Sequence, residues 1–181
     1  MRANQLVVVL DACVLAPMPV ADTLLRLAEG HCLFVPKWSP QILEELRRTL
    51  EKFGFNPRQV ERRIRAMNDV FPDSLVRGYE GLIPTMTNDT KDRHVVAAAV
   101  KCGARVIVSD NQRHFPVAAL RPYGLECATA DRFLADQYRL STEAFCRVLR
   151  EQAADIKFSL PQLIARHVPS LAKLTRNGAD L

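Results

Sequence analysis

Leu6-Val7-Val8-Val9-Leu10-Asp11 is the stretch on which the fold turns. The run from Leu6 to Leu10 is short, β-branched at its centre and apolar on both alternations, the pattern of a parallel strand covered on both faces. It ends abruptly in a carboxylate. A helical pattern follows from about Pro19 to Glu29, with Val20, Leu24, Leu27 and Ala28 on one side and Gly30 as its stop. Leu33-Phe34-Val35 then reads as a second short strand.

Two helix starts come next, each a capping residue followed by proline at the first helical position: Ser39-Pro40 and Asn56-Pro57. Ile42, Leu43, Leu46, Leu50 and Phe53 form the stripe of the first helix, and Val60, Ile64, Met67 and Phe71 that of the second. A weaker strand is expected near Ser74 to Tyr79. Thr90 to Cys102 is helical again, with Asp89 or Thr90 as cap and Gly103 closing it. Arg105 to Ser109 reads as a strand ending at Asp110-Asn111. A short helix at Val117 to Leu120, a strand at Leu125 to Ala128 and helices from about Asp131 complete the pattern. Strands alternating with helices imply right-handed crossovers and a central parallel sheet, so the fold class is α/β with three layers. From Ser141 to Leu181 there is no strand signal. Pro161 and Pro169 should break that stretch into short helices, and 177–181 should fray. The expected division is a main domain over 1–135 and a small helical C-terminal extension over 136–181.

The chain's 181 residues, 48% of them hydrophobic, suffice for one domain with a sizeable core. The longest apolar run is far below the roughly 20 residues of a membrane-spanning helix, and the N-terminus lacks a signal-peptide pattern, so a cytoplasmic protein is expected. Five scattered cysteines without a Cys-x-x-Cys pair argue against a disulfide framework and a zinc site. A net charge of +5 favours a polyanionic partner without specifying any chemistry.

The chemistry is carried by acids at the ends of apolar elements. In an open parallel sheet, ligands bind beyond the carboxyl ends of the strands where strand order reverses, which is where Asp11 would sit. By itself Asp11 also suits a turn or helix cap. Asp92 shares a helical face with Val95, Val96 and Ala99, so its carboxylate points toward the core unless it serves as a cap. A buried charge must be protonated, hydrogen-bonded, paired or metal-bound. Glu45 lies nearer the apolar boundary of its helix than Glu44, which points outward; a solvated face paired with nearby arginines is the ordinary alternative for both. Asp110 follows another strand. Several carboxylates converging on one sheet edge, with no lysine among them, would repel unless they held a hard cation such as Mg²⁺ or Mn²⁺.

Four segments together resemble the PIN-domain nucleases, and in particular the VapC-like toxins of toxin–antitoxin pairs: LDACVL at Leu10 to Leu15, SPQILEELRRTL at Ser39 to Leu50, NDTKDRHVVAAAV at Asn88 to Val100, and VIVSDNQRHFP at Val106 to Pro116. The resemblance implies a PIN-like α/β/α fold with Asp11, Glu45 and Asp92 as the first three acidic positions. It further implies Mg²⁺- or Mn²⁺-dependent endoribonucleolytic cleavage of RNA and a cognate antitoxin. The fourth position departs from the family pattern. The usual Thr-x-Asp aligns with Ser109-Asp110-Asn111, so Asn111 stands in place of the acid, while Asp110 belongs to the opposite side of an extended chain. A neighbouring position, often acidic in the family, is His114. Metal ligands Asp11, Glu45, Asp92 and Asn111, with Asp110 as a further catalytic candidate, are one reading. A catalytically degenerate PIN-fold module that binds RNA or protein is the other. The oligomeric state stays open, a homodimer included.

Other features stay unassigned. Arg47, Arg48, Lys52, Arg58, Arg62, Arg63 and Arg65 suit either a basic wall for a phosphate backbone or a solvated amphipathic face. Trp38 and Tyr79 read as packing residues rather than base-stacking ones, and His94 carries no metal motif. An aspartyl-nucleophile phosphatase is disfavoured by Cys13, which stands where that chemistry places a second acid. A dinucleotide fold is disfavoured by the absence of G-x-G-x-x-G.

Overall fold

In a computed structural model, which describes residues 5–30, 33–157 and the single residue 169, the apolar run becomes strand β1 (Val7–Leu10) at the centre of the sheet. Its neighbours are β2 (Val35–Lys37) on one side and β3 (Val106–Val108) on the other, with β4 (Glu126–Ala128) beyond β3. All pairings are parallel, in the order β2-β1-β3-β4. Val8, Val9, Leu10, Ile107 and Val108 are fully buried because helices cover both faces. This is the three-layer α/β/α arrangement implied by the sequence. Since β2 lies on one side of β1 and β3 on the other, the strand order reverses between β1 and β3. The crevice beyond their carboxyl ends is the ligand position of such a sheet.

The helices follow their local signals. After β1 come α1 (Ala12–Leu15) and α2 (Met18–Gly30). Ser39 caps α3 (Pro40–Lys52), its hydroxyl accepting from the Ile42 N–H at 3.2 Å. Asn56 and Gln59 form a reciprocal capping box at the start of α4 (Pro57–Val70). Asp89 caps a short 3₁₀ turn over Thr90–Asp92, which leads into α5 (Arg93–Lys101). At its end Gly103 adopts φ +66°, a left-handed conformation that glycine takes without a Cβ penalty. The helices that follow among the residues up to 157 are α6 (Val117–Leu120), α7 (Ala130–Leu140) and α8 (Thr142–Ile156).

Three expectations need correction. The second strand begins at Val35, not Leu33, because β1 starts at Val7 and pairs it with Val35; Phe34 instead packs edge-on against Phe133. The strand expected near Ser74–Tyr79 shrinks to a single bridge between Trp38 and Leu75, since Ser39-Pro40 ends the neighbouring chain and Pro72–Ser74 is a 3₁₀ turn. Phe53, assigned to the buried stripe of α3, lies just past its end and is exposed.

The expected division at 135/136 falls inside α7. Phe145, Val148, Leu149 and Ala153 of α8 belong to the same hydrophobic core as β1 and α2. Gln152 is fully buried against α2, donating to the Pro19 carbonyl at 2.8 Å and accepting from the Thr23 hydroxyl at 2.6 Å. The breaks expected at Pro161 and Pro169, and the fraying over 177–181, lie in a stretch of which only residue 169 is described. Among the described residues, no helix is long and apolar enough to cross a membrane.

Candidate active site

A cleft of about 560 Å³ opens at the strand-order reversal, lined by Asp11, Cys13, Glu45, Asp92, Asn111 and His114, with Arg48, Lys52 and Lys91 among its other walls. Asp11 leaves β1 and enters the first turn of α1, where its Oδ1 accepts from the Ala12 N–H at 2.7 Å. Its other oxygen, Oδ2, accepts from the Ser109 hydroxyl at 2.6 Å and from the Cys13 thiol at 3.2 Å. Ser109 and Cys13 in turn accept from the backbone N–H groups of Asn111 and Asp110 at 3.2 and 3.4 Å. This knot ties the end of β1 to the end of β3. Burial, set against the bonds from Ser109 and Cys13, pushes the Asp11 carboxyl up, and the nearby charge of Asp92 adds to the effect. Burial first, and then the charge of Asp11, pushes the Cys13 thiol up to about 12, which keeps it a hydrogen-bond donor.

Glu45 projects from α3 toward the buried His94 of α5, with Nε2 of the ring 2.9 Å from Oε1. Glu44, one residue earlier, turns outward and pairs with Arg47 and Arg48 at 2.7 and 3.1 Å. Asp92 sits in the 3₁₀ turn before α5 and makes no capping bond. Its Oδ2 accepts instead from Nδ1 of His114 at 2.6 Å, while Asp89 serves as the cap. The alternative in which Asp92 serves as a helix cap is thereby set aside: a histidine holds it. The expectation of a site without lysine is corrected too, because Lys52 and Lys91 line the cleft. Neither lysine forms an ion pair with the acids among the described residues.

Asn111 lines the cleft; Asp110 does not. Asp110 is turned toward α7, where its Oδ1 accepts from the Ala130 N–H at 3.1 Å, as alternation of successive residues at a strand end requires. The catalytic candidate Asp110 thus lies outside the cleft lining and bonds the first N–H of α7, whose N-cap is Thr129. Trp38 and Tyr79 are buried, the Trp38 ring edge-on to Phe71. Arg63 is not part of a basic wall, because its guanidinium donates to the Leu15 and Ala16 carbonyls.

Sequence reasoning gave neither histidine an acid partner. Each contacts an acid far away in the chain, so local spacing carried no sign of it. The hints were that His114 stands at a position often acidic in the family and that His94 falls on the buried face of its helix.

The donor set fits a hard divalent cation. Three carboxylates and an amide carbonyl face one cleft, and Asp11 and Asp92 lie close enough for one charge to raise the other's pKa. Among the described acids and histidines, the group whose ligand atoms all come within 4.8 Å of one another is Asp89, Asp92 and His114; Asp11 and Glu45 line the same cleft outside that group.

A family model described as PIN domain matches residues 7–113, and the chain belongs to the PIN-domain family. Over 105 residues it is 41% identical to a protein of Mycobacterium tuberculosis (strain ATCC 25618 / H37Rv) named "Putative ribonuclease VapC50", covering 55% of this chain and 62% of that relative. The matched region thus spans less than two thirds of the relative's length. No solved structure gives a match.

Proposed function

We propose that this chain is a Mg²⁺- or Mn²⁺-dependent endoribonuclease and the toxin of a type II toxin–antitoxin pair. It would act in the cytoplasm, where RNA and a cognate antitoxin are both available. The observation that carries the reading is the convergence of Asp11, Glu45, Asp92 and Asn111 on one cleft at the strand-order reversal. These four residues would hold the cation. A cation so held lowers the pKa of a bound water and stabilises charge developing on a phosphodiester. The chain's own groups do the rest. Ser109 and Cys13 fix Asp11, His94 fixes Glu45, and His114 fixes Asp92. Arg48, Lys52 and Lys91 at the walls of the cleft would hold the RNA phosphates. The relative's name supports ribonuclease activity and the toxin reading. The homodimer belongs to the same proposal, with the helices after residue 135 as an extension packed on the PIN domain.

The deciding experiment is RNA cleavage with and without Mg²⁺ or Mn²⁺. Activity should depend on the cation and vanish in Asp11→Ala and Asp92→Ala while circular dichroism stays native. Cleavage retained in both variants would sink the proposal. Asn111 at the fourth corner favours one second reading, a degenerate module that binds RNA or protein. Tight RNA binding with neither cation uptake nor turnover would establish it instead.

A further inference from the structure

The corner between α3 and α4 carries an arrangement that the cleft does not use. Lys52, the last residue of α3, lines the cleft. Phe53 and Phe55 follow at once, 59% and 39% exposed, and are the exposed phenylalanines among the described residues. Next comes α4, whose outer face presents Arg58, Arg62 and Arg65 around a shallow depression shared with Pro57 and Glu61. Glu61 is engaged by Arg47 of α3 at 3.3 Å, but the three arginines form no ion pair among the described residues, Asp69 one turn later included. In chain order, basic side chains therefore run from Lys52 at the cleft wall, past two solvent-facing rings, to the arginines of α4.

The corner is rigid. Gly54 adopts φ +88°, its N–H donates to the Glu51 carbonyl at 2.9 Å, and the Phe55 N–H donates to the Leu50 carbonyl at 3.1 Å. The Asn56–Gln59 capping box pins the far side. A glycine with a positive φ allows the tight reversal that presents both rings. Exposed apolar residues scattered singly are ordinary, but two aromatic rings on a pinned turn between cations are not scattered. Rings carried on a fixed backbone turn and flanked by positive charge are what unpaired bases stack on while their phosphates are neutralised. A duplex offers no free base faces to such rings.

We propose that the α3–α4 corner is a binding platform for single-stranded RNA, with Phe53 and Phe55 stacking on bases and Arg58, Arg62 and Arg65 contacting the phosphates of a strand that continues into the cleft past Lys52. The proposal rests on the nuclease reading for its choice of RNA, but it is tested by binding alone. Fluorescence anisotropy with a labelled 12-nucleotide single strand of RNA, and the same RNA as a duplex, is measured in chelator so that no cleavage occurs.

Wild type should prefer the single strand. Phe53→Ala/Phe55→Ala should weaken that binding on the order of tenfold or more without changing its salt dependence. Phe53→Trp should keep or tighten it. Arg58→Ala/Arg62→Ala/Arg65→Ala should make the slope of log affinity against log salt shallower by about 2. Thermal melts should be unchanged, since every substituted side chain is exposed. Equal affinity of wild type and the phenylalanine variant, equal affinity for strand and duplex, or loss of self-association in place of RNA binding would overturn the platform. A wild type that binds the strand here yet never cleaves would overturn the nuclease reading and leave the platform standing. Cleavage with unaltered binding in the corner variants would do the reverse.

Discussion

His94 and Glu45 are 49 positions apart, yet the imidazole donates through Nε2 to Glu45 Oε1 at 2.9 Å. The ring is buried and its Nδ1 meets no partner among the described residues. Its hydrogen-bonding capacity is therefore directed at the carboxylate, which would otherwise swing on a long side chain at the half-open edge of the cleft. Groups that orient a metal-binding carboxylate typically matter by 10- to 100-fold in affinity. His94→Ala is expected to weaken Mn²⁺ binding by about that factor in isothermal titration calorimetry. His94→Gln, whose amide N–H can stand in for Nε2, should recover most of it. Equal affinity in the alanine variant would remove His94 from the site.

Asp11 makes the opposite trade between stability and function. Its carboxylate is buried, pushed up by burial and by Asp92, and held by three donors. A charge kept under those conditions is retained at a cost to the fold. Asp11→Asn removes the charge and keeps the shape. In chelator it should melt a few degrees above wild type, the shift about 1 kcal/mol gives in a chain of this size. Added Mn²⁺ should raise the melting temperature of wild type and leave the variant unmoved. A variant less stable than wild type in chelator would show that the three donors more than offset burial.

Asp110 and Asn111 are neighbours with separate duties. Asp110→Ala should cost about 1 kcal/mol in urea denaturation, through loss of the bond to the Ala130 N–H, and leave Mn²⁺ binding intact. Asn111→Asp, which places a charged oxygen donor in the cleft, should tighten Mn²⁺ binding and raise cleavage. If Asp110→Ala abolished metal binding instead, the orientation of this strand end would be wrong.

What the sequence made legible follows from how local each cause is. Ser39-Pro40 and Asn56-Pro57 announce their helices because a cap is a matter of three or four residues. Val7 to Leu10 announces a covered strand because both alternations are apolar. Glu45 was separable from Glu44 by helical phase alone. The bridge at Leu75 was not distinguishable from a strand, since its length depends on where the neighbouring chain stops pairing. The supports given by His94, His114 and Ser109 were invisible for the same reason: each partner arrives through tertiary packing. Phe53 was misread because the apolar stripe continues one residue beyond the helix that would bury it.

Helix α8 decides whether residues past 135 form a separate unit. Gln152 is fully buried, bonded to Thr23 and to the Pro19 carbonyl, amid apolar residues continuous with the central core. Removing its amide takes one of two side-chain donors from the Pro19 carbonyl, which the Thr23 hydroxyl still meets at 2.8 Å, leaves that hydroxyl without its Gln152 partner and opens space between α2 and α8. Gln152→Ala should therefore cost about 1–3 kcal/mol. By contrast, Asp155→Ala breaks only the exposed Arg26 pair at 2.7 Å and should cost under about 1 kcal/mol. Because the core is shared, urea unfolding followed by far-ultraviolet circular dichroism and by Trp38 fluorescence should give one coincident transition, and Gln152→Ala should shift both probes together. Two separated transitions, with Trp38 unaffected by the substitution, would make the C-terminal helices an independent unit.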